Sequence, residues 1–392
     1  MKISTTSGNN WNFLSISKER KTKTLNHTRK QRSRLFALEY INYKNINSLP
    51  IKFSDYNTLF GNYEWIVMTY EEAKEALKKD DPLNIRRKTA LARTLHMRGD
   101  NIFLTVYIEN KKYPRQNYYT IAHELGHIVL GHFFDFETTS LFNGGLTKKQ
   151  YSILEREAEI FAAELIMPMP VLKSFKIKSY EDIADICKST KSSSKIRLKE
   201  MHTFKLPNYL MPRYKTIKTI FHDFIYKKKC LECRQSFVSE TAKYCPICGN
   251  NRLVRGDDKM IYNDSIKLDK NGKAYICPRC SNEETKDNSA YCKICGTNLI
   301  NKCTNTKGIY EEIDFNNRVK IKDPCGKLAE GNARYCIHCG EPTTFYIQGI
   351  LRDWNTKKTY PQMKQDEAKK QEEAAKQVAA TIAPISDEDI PF

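Results

Sequence analysis

Apolar positions recur at helical spacing in two stretches of this chain. Ile121, Leu125, Ile128 and Val129 follow a 3.6-residue period, and Ala122 and Gly126 leave room for a close neighbour. Leu154, Ala158, Phe161, Ala162 and Leu165 form a second stripe, so two helices are expected to pack face to face. Upstream, Asn101 to Asn110 contains Ile-Phe-Leu-Thr-Val-Tyr-Ile, whose β-branched and aromatic residues predict a strand, here taken as an edge beside the first helix. Thr69 to Lys79 reads as a helix, and Ser179-Tyr-Glu-Asp182 as the cap of another. Tyr180 to Met201 carries two short helical patterns separated by Lys-Ser-Ser-Ser, a spacing that could pass for a helix-turn-helix. The mixture predicts an α+β fold. Residues 1–50 are basic and polar with little apolar periodicity, which reads as a flexible arm. Met363 to Thr381, rich in Lys, Glu, Gln and Ala, reads as a solvated helix or a linker.

The first helix carries His123-Glu-Leu-Gly-His127. Histidines four residues apart on a helix are separated by about 40° around its axis, so both rings can hold one zinc ion while Glu124 serves as a base. A catalytic zinc needs a third protein ligand and an open position for water. His132 would lie roughly 180° from His123 if the helix continued, and it misses the metzincin spacing, so it reads as a surface or supporting residue. On the second helix Glu155 and Glu159 are one turn apart: one can bind metal while the other hydrogen-bonds a ligating histidine, and Glu157 points elsewhere. The expected chemistry is zinc-activated attack of water on a peptide bond, with Glu124 taking the proton. Arg115, Tyr118, Tyr119 and Tyr151 flank the site, and the residue that stabilises the oxyanion is left open.

These residues resemble the ImmA/IrrE metallopeptidases, whose signature is a helix of the form AHELGH followed by E-x-x-A-x-x-FA-x-x-LLMP. Here the two halves are Ala122-His-Glu-Leu-Gly-His127 and Glu155-Arg-Glu-Ala-Glu-Ile-Phe-Ala-Ala-Glu-Leu-Ile-Met-Pro168, in order and in register. The resemblance covers roughly residues 60 to 205. It implies a zincin-type core, with the metal-binding helix on a small sheet, His123, His127 and Glu155 as zinc ligands and Glu124 as catalytic base. It also implies a protein substrate such as a DNA-bound repressor of the helix-turn-helix type. Glu159 stands where the family usually carries Asn.

Twelve of the 13 cysteines lie after residue 229. Cys230, Cys233, Cys245 and Cys248 form one set of paired C-x-x-C knuckles, and Cys277, Cys280, Cys292 and Cys295 repeat its spacing. A third set, Cys303, Cys325, Cys336 and Cys339, is looser because an insertion separates its first two members. The second knuckles repeat as Tyr244-Cys-Pro-Ile-Cys-Gly249, Tyr291-Cys-Lys-Ile-Cys-Gly296 and Tyr335-Cys-Ile-His-Cys-Gly340. Three zinc ribbons are the reading. With one catalytic zinc and up to three structural ones, the metal would supply folding free energy that such small modules lack. Disulfides would need an oxidising compartment, and no apolar signal segment precedes the chain. Cys187, outside the repeats, reads as an ordinary buried residue.

The formal charge of +19 falls to about +15 when three tetrathiolate zinc sites and one catalytic zinc are counted. Clusters at Lys18-Glu-Arg-Lys-Thr-Lys23, Arg29-Lys-Gln-Arg-Ser-Arg34 and Lys227-Lys-Lys229 are candidates for non-specific phosphate contact and DNA binding. No stretch approaches the roughly 20 apolar residues of a membrane span, so a cytoplasmic protein is expected. The chain closes in Ser386-Asp-Glu-Asp-Ile-Pro-Phe392, which is similar to the tip of bacterial single-stranded DNA-binding proteins, with Glu388 in place of a usual Asp. Asp387, Glu388 and Asp389 would steer the tip, Pro391 would stiffen it, and Phe392 would offer its ring and terminal carboxylate to an apolar pocket with a basic rim on a genome-maintenance protein, with Ile390 also counted among the partner-binding residues.

The expected organisation is therefore an arm at 1–50, a peptidase core at 51–168 and a helical extension at 169–225. Ribbons follow at 226–252, 273–299 and 300–345, then a linker at 361–384 and the acidic tip at 385–392. Two functions fit: a zinc endopeptidase directed to one or a few proteins, or a non-catalytic zinc-ribbon adaptor joining nucleic acid to partners of the tip.

Overall fold

The computed structural model describes residues 27–53, 59, 63–77, 90–97, 99–135, 146–256, 258, 262, 264–285, 289–314 and 317–381. The chain divides into two compact units, Met1–Ile225 and Tyr226–Phe392. The basic cluster at 18–23 and the acidic tip lie outside the described residues.

In the first unit, helix α1 (Lys30–Tyr43) precedes strand β1 (Glu64–Thr69), helix α2 (Tyr70–Leu77), and strands β2 (Ala92–Met97) and β3 (Ile102–Tyr107). Helices α3 (Pro114–Val129), α4 (Lys148–Ile166), α5 (Tyr180–Cys187), α6 (Lys191–Thr203) and α7 (Met211–Ile220) follow, with short helical turns between some of them. The sheet order is β1-β3-β2, with β3 parallel to β1 and antiparallel to β2. One face buries Tyr70, Ala73, Leu95, Leu104 and Val106. On the other, Trp65, Thr94, His96, Phe103 and Thr105 are buried, and α3 packs against β2 and β3. The strand expected as an edge is thus central. Its near-continuous apolar run fits a strand covered on both faces, and β1 and β2 are the edges.

Helix α3 packs on α4, closely enough that a Cβ at Gly126 would lie 3.1 Å from the Phe161 ring and 3.2 Å from backbone atoms of Ala158. Helix α1 packs on α4 as well, burying Phe36, Ala37, Leu38, Tyr40 and Ile41. The flexible-arm expectation therefore fails for residues 30–43. The arginines expected to meet phosphates are engaged within the unit: Arg29 with Glu157, Arg34 with Glu200, and Arg32 over the Phe36 ring. Apolar spacing at Leu38 and Ile41 outweighs the basic composition of the helix's first half.

Asp182 accepts from the Ser179 amide at the start of α5. Lys188 adopts a left-handed conformation and Thr190 caps α6, so the break falls at residues 188–190, and Lys191-Ser-Ser-Ser194 opens the second helix instead of separating the two. Arg197, fully buried, pairs with Glu164 at 2.7 Å and donates to the Met167 carbonyl at 2.6 and 2.8 Å, holding the turn that follows α4.

In the second unit, strands β4 (Lys227–Cys230), β5 (Ser236–Val238) and β6 (Leu253–Arg255) make an antiparallel sheet with β4 in the middle. The insertion in the third cysteine set is a hairpin, β7 (Ile309–Asp314) and β8 (Asn317–Lys322). Helix α8 (Tyr360–Thr381) occupies the stretch read as a solvated helix or linker. Among the described residues no helix is long and apolar enough to cross a membrane.

Candidate metal centres

Helix α3 presents His123 and His127 one turn apart, and α4, packed alongside, brings Glu155 to them. His123 Nε2 lies 3.1 Å from His127 Nε2 and 3.1 Å from Glu155 Oε2, and His127 Nε2 lies 3.3 Å from Glu155 Oε1. Zinc bonds of about 2.0–2.1 Å in tetrahedral geometry place ligand atoms roughly 3.3 Å apart, so this donor set fits zinc. The His123 side chain is 17% exposed and that of Glu155 32%, which leaves one side of the cluster open. Burial opposes charge on His123, but the Glu155 hydrogen bond and the charges of Glu124, Glu155 and Glu159 outweigh it and raise its pKa. Glu155 is held well below the usual carboxylate range: burial works against this, and the hydrogen bonds and charges of both histidines overcome it.

Behind His127 lies a chain of buried groups. His127 Nδ1 meets His132 Nδ1 at 2.9 Å, His132 Nε2 meets Glu157 Oε2 at 3.3 Å, and Arg29 donates to Glu157 through its backbone amide, Nε and Nη2 at 2.8, 2.7 and 2.6 Å. The side chains of His132 and Glu157 have no exposed surface. Were Nε2 of His127 to hold a metal, its Nδ1 would carry the proton, and His132 would then accept at Nδ1 and donate at Nε2. His132 reaches this place because α3 ends at Val129 and Gly131, at φ +77°, reverses the chain. The support expected from Glu159 comes instead from His132 and Glu157. Glu159, one turn beyond Glu155, faces solvent and pairs with Arg156 at 2.6 Å.

Glu124 is positioned from the sheet. Thr94 on β2 donates to Glu124 Oε2 at 2.6 Å, Thr94 and Thr105 share a 2.7 Å hydrogen bond, and Trp65 Nε1 donates to Thr105 at 2.9 Å. Sequence reasoning missed this chain, because threonine in a strand reads as an ordinary strand former.

Among the flanking residues, Arg115 pairs with Asp185, and the Tyr119 hydroxyl donates to the Glu159 carbonyl with its pKa raised to about 12, chiefly by burial. Burial, then the charge and hydrogen bond of Glu155, and then the Glu124 charge push the Tyr151 hydroxyl up.

Each expected cysteine set gathers in the second unit. Sulfur separations run from 3.3 to 3.7 Å, far longer than a disulfide and close to the edge of a zinc tetrathiolate with bonds of about 2.3 Å. The Ile247 amide donates to Cys245 Sγ at 3.4 Å, and Gly249, Gly296 and Gly340 all sit at positive φ where each second knuckle turns. Cys187 is buried.

The ribbons are not beads on a string. The Lys243 and Tyr244 amides donate to the Ile337 carbonyl, and those of Arg334 and Tyr335 donate to the Pro246 carbonyl. A Cβ at Gly249 would strike the Tyr335 ring and one at Gly340 the Tyr244 ring, at 2.9 and 2.7 Å. Ribbons 1 and 3 therefore dock through a reciprocal exchange of equivalent positions. The ribbon 2 counterparts, Tyr291 and Lys293, are exposed.

A fourth knuckle has no cysteine. Asp353 N donates to the Lys358 carbonyl and Lys357 N to the Asp353 carbonyl, as Cys230 N does to Gln235 and Arg234 N to Cys230. The Asp353 carboxylate accepts from the Asn355 and Thr356 amides and the Thr356 hydroxyl, so hydrogen bonds close this turn in place of metal.

Residues 81–199 match the family model described as the IrrE N-terminal-like domain, of peptidase family M78. That span contains both histidines, Glu124 and Glu155, and it supports a metallopeptidase of ImmA/IrrE type. No curated protein matches the chain.

Proposed function

We propose that this chain is a zinc endopeptidase that cleaves one or a few proteins, with Glu124 as the general base. The observation that carries the reading is the convergence of His123, His127 and Glu155 at tetrahedral ligand spacing, open on one side, with Glu124 on the same helix. A zinc ion held there would acidify water and polarise a peptide carbonyl. Glu124 removes the proton from the attacking water and passes it to the leaving amine. Tyr151, one turn before Glu155 on α4, is the candidate donor to the oxyanion. The edge of β2 that is unpaired among the described residues, and whose Thr94 touches Glu124, suits an extended substrate backbone.

The substrate class proposed from the family resemblance is a helix-turn-helix repressor. The tip at 387–392 would recruit the enzyme to proteins that bind the single-stranded DNA-binding tip. The ribbons are better suited to holding protein than phosphate. In Tyr226–Phe392 Lys and Arg only slightly outnumber Asp and Glu, and three zinc tetrathiolates at about −2 each would bring the unit near neutrality.

The test is expression of the intact chain and its Glu124→Gln form in a bacterial host, followed by comparison of newly formed peptide ends. Glu124→Gln is expected to abolish the new ends while zinc content and melting temperature stay unchanged. New ends that persist with the variant would overturn the assignment of the base, and equal, uncleaved proteomes would favour the adaptor.

A further inference from the structure

The three hydroxyl and indole groups behind Glu124 form a chain whose direction is fixed by chemistry. An indole N–H only donates and an ionised carboxylate only accepts. Thr105 accepts from Trp65 at 2.9 Å, so its own proton goes to Thr94, whose proton goes in turn to Glu124 Oε2 at 2.6 Å. The opposite order would leave Thr94 and the carboxylate facing each other with no proton between them. The chain is built by strand register: Thr94 and Thr105 are direct partners across β2 and β3, and Trp65, paired with Phe103, reaches Thr105 diagonally on the same face. Trp65, Thr94 and Thr105 are all buried, and the Phe103 ring stacks on His96 beside them, so water does not compete along the chain. A valine would fill the place of Thr94 equally well, whereas a buried hydroxyl is costly unless it is bonded. Each bond here points toward the general base.

We propose that Thr94 is a positioning residue: it holds Oε2 of Glu124 through the donor chain from Trp65 and Thr105, leaving Oε1 to take the proton from water. The inference rests on the peptidase reading, because it gives Glu124 a proton to move. The Thr94 hydroxyl bonds Glu124 and Thr105 and none of the ligating atoms of His123, His127 or Glu155. Its effect is to confine the Glu124 carboxylate to one rotamer and to assign its two oxygens different tasks.

The experiment uses the full-length zinc-loaded chain as wild type, Thr94→Val, Thr94→Ser and Glu124→Gln. Cleavage of the substrate found by peptide-end comparison is followed as kcat and KM. Thr94→Val is expected to lower kcat about ten- to a hundred-fold, the scale of a misplaced catalytic group, with KM changed by less than about two-fold. Thr94→Ser restores the rate, and zinc content and the visible spectrum of the cobalt-substituted protein are the same in all forms. A second readout needs no substrate. The chain has three tryptophans, so Trp65→Phe assigns the Trp65 indole N–H resonance. Glu124→Gln should move that resonance in the wild-type background and leave it unmoved when Thr94 is Val. If Thr94→Val keeps wild-type kcat while Glu124→Gln is inactive, the positioning role is overturned and the peptidase reading stands. If no form cleaves anything, the indole resonance decides, and no response to Glu124→Gln overturns the chain itself.

Discussion

Glu157 is a carboxylate without exposed surface, gripped by His132 on one side and by three donors of Arg29 on the other. Burial alone would raise its pKa, but the His132 and Arg29 hydrogen bonds and charges depress it, so it is a fixed anion behind His127. Glu157→Gln should weaken zinc binding at the His123 site by about 10–100-fold, the usual effect of losing a ligand's supporting partner. It should also cost about 2–3 kcal/mol of stability, below the full penalty for breaking a buried pair because Arg29 keeps some solvent contact. Chelator competition and calorimetry measure the two effects, and unchanged zinc affinity would count against the His127–His132–Glu157 chain. The spacing of His123, Glu124, His127 and Glu155 was legible in the sequence because metal chemistry constrains it directly. The groups behind them were legible only in part: helical spacing points Glu157 elsewhere and leaves His132 open to a surface or a supporting place, since a continuous-helix extrapolation puts it opposite His123. The chain reversal at Gly131 returns it to His127. The choice between Glu157 and Glu159 likewise depends on what packs behind α4, which helical angle alone does not specify.

At the scale of elements, α3 and α4 follow directly from their apolar stripes, and Gly126 marks where they approach. Gly126→Ala should cost about 1–3 kcal/mol, because the neighbour across the contact is partly backbone and cannot move aside. Helix α1 was concealed by composition: its arginines look like a phosphate-binding arm, yet they answer Glu157, Glu164 and Glu200 of α4 and α6. Leu38, with no exposed surface, separates the two descriptions. Leu38→Ala should lower the unfolding free energy of the first unit by about 2–5 kcal/mol, whereas in a flexible arm the change would lie within about 0.5 kcal/mol. Urea titration followed by tryptophan fluorescence reads the difference, and a null effect would detach α1 from the core. The position of β3 in its sheet was hidden for another reason: a run apolar on both faces announces burial, but the neighbours that bury it are set by strands distant in sequence.

On the scale of the whole molecule, the cysteine spacing gave the three metal sets but not their mutual docking. The repeated Tyr-Cys-x-x-Cys-Gly motif serves two purposes in ribbons 1 and 3: the glycine turns the knuckle at positive φ, and its bare Cα receives the other ribbon's tyrosine. Metal loading should therefore be coupled between these two ribbons, because each zinc organises the knuckle on which the other ribbon packs. In ribbon 2 the equivalent Tyr291 and Lys293 are exposed among the described residues, and Cys280 is exposed, so a zinc held there would be the most accessible of the three. Stepwise thiol modification of the full chain, with released zinc read by a chromogenic chelator, should show ribbon 2 emptying first and ribbons 1 and 3 emptying together. Gly340→Val puts a side chain into the Tyr244 ring at a left-handed position, so it should separate the coupled step into two without altering the ribbon 2 step. Three independent release steps in the wild-type chain would mean that the reciprocal contact contributes no cooperativity. An unchanged coupled step in Gly340→Val would place the coupling elsewhere in the unit, with the metal-free Asp353 knuckle the next element to remove.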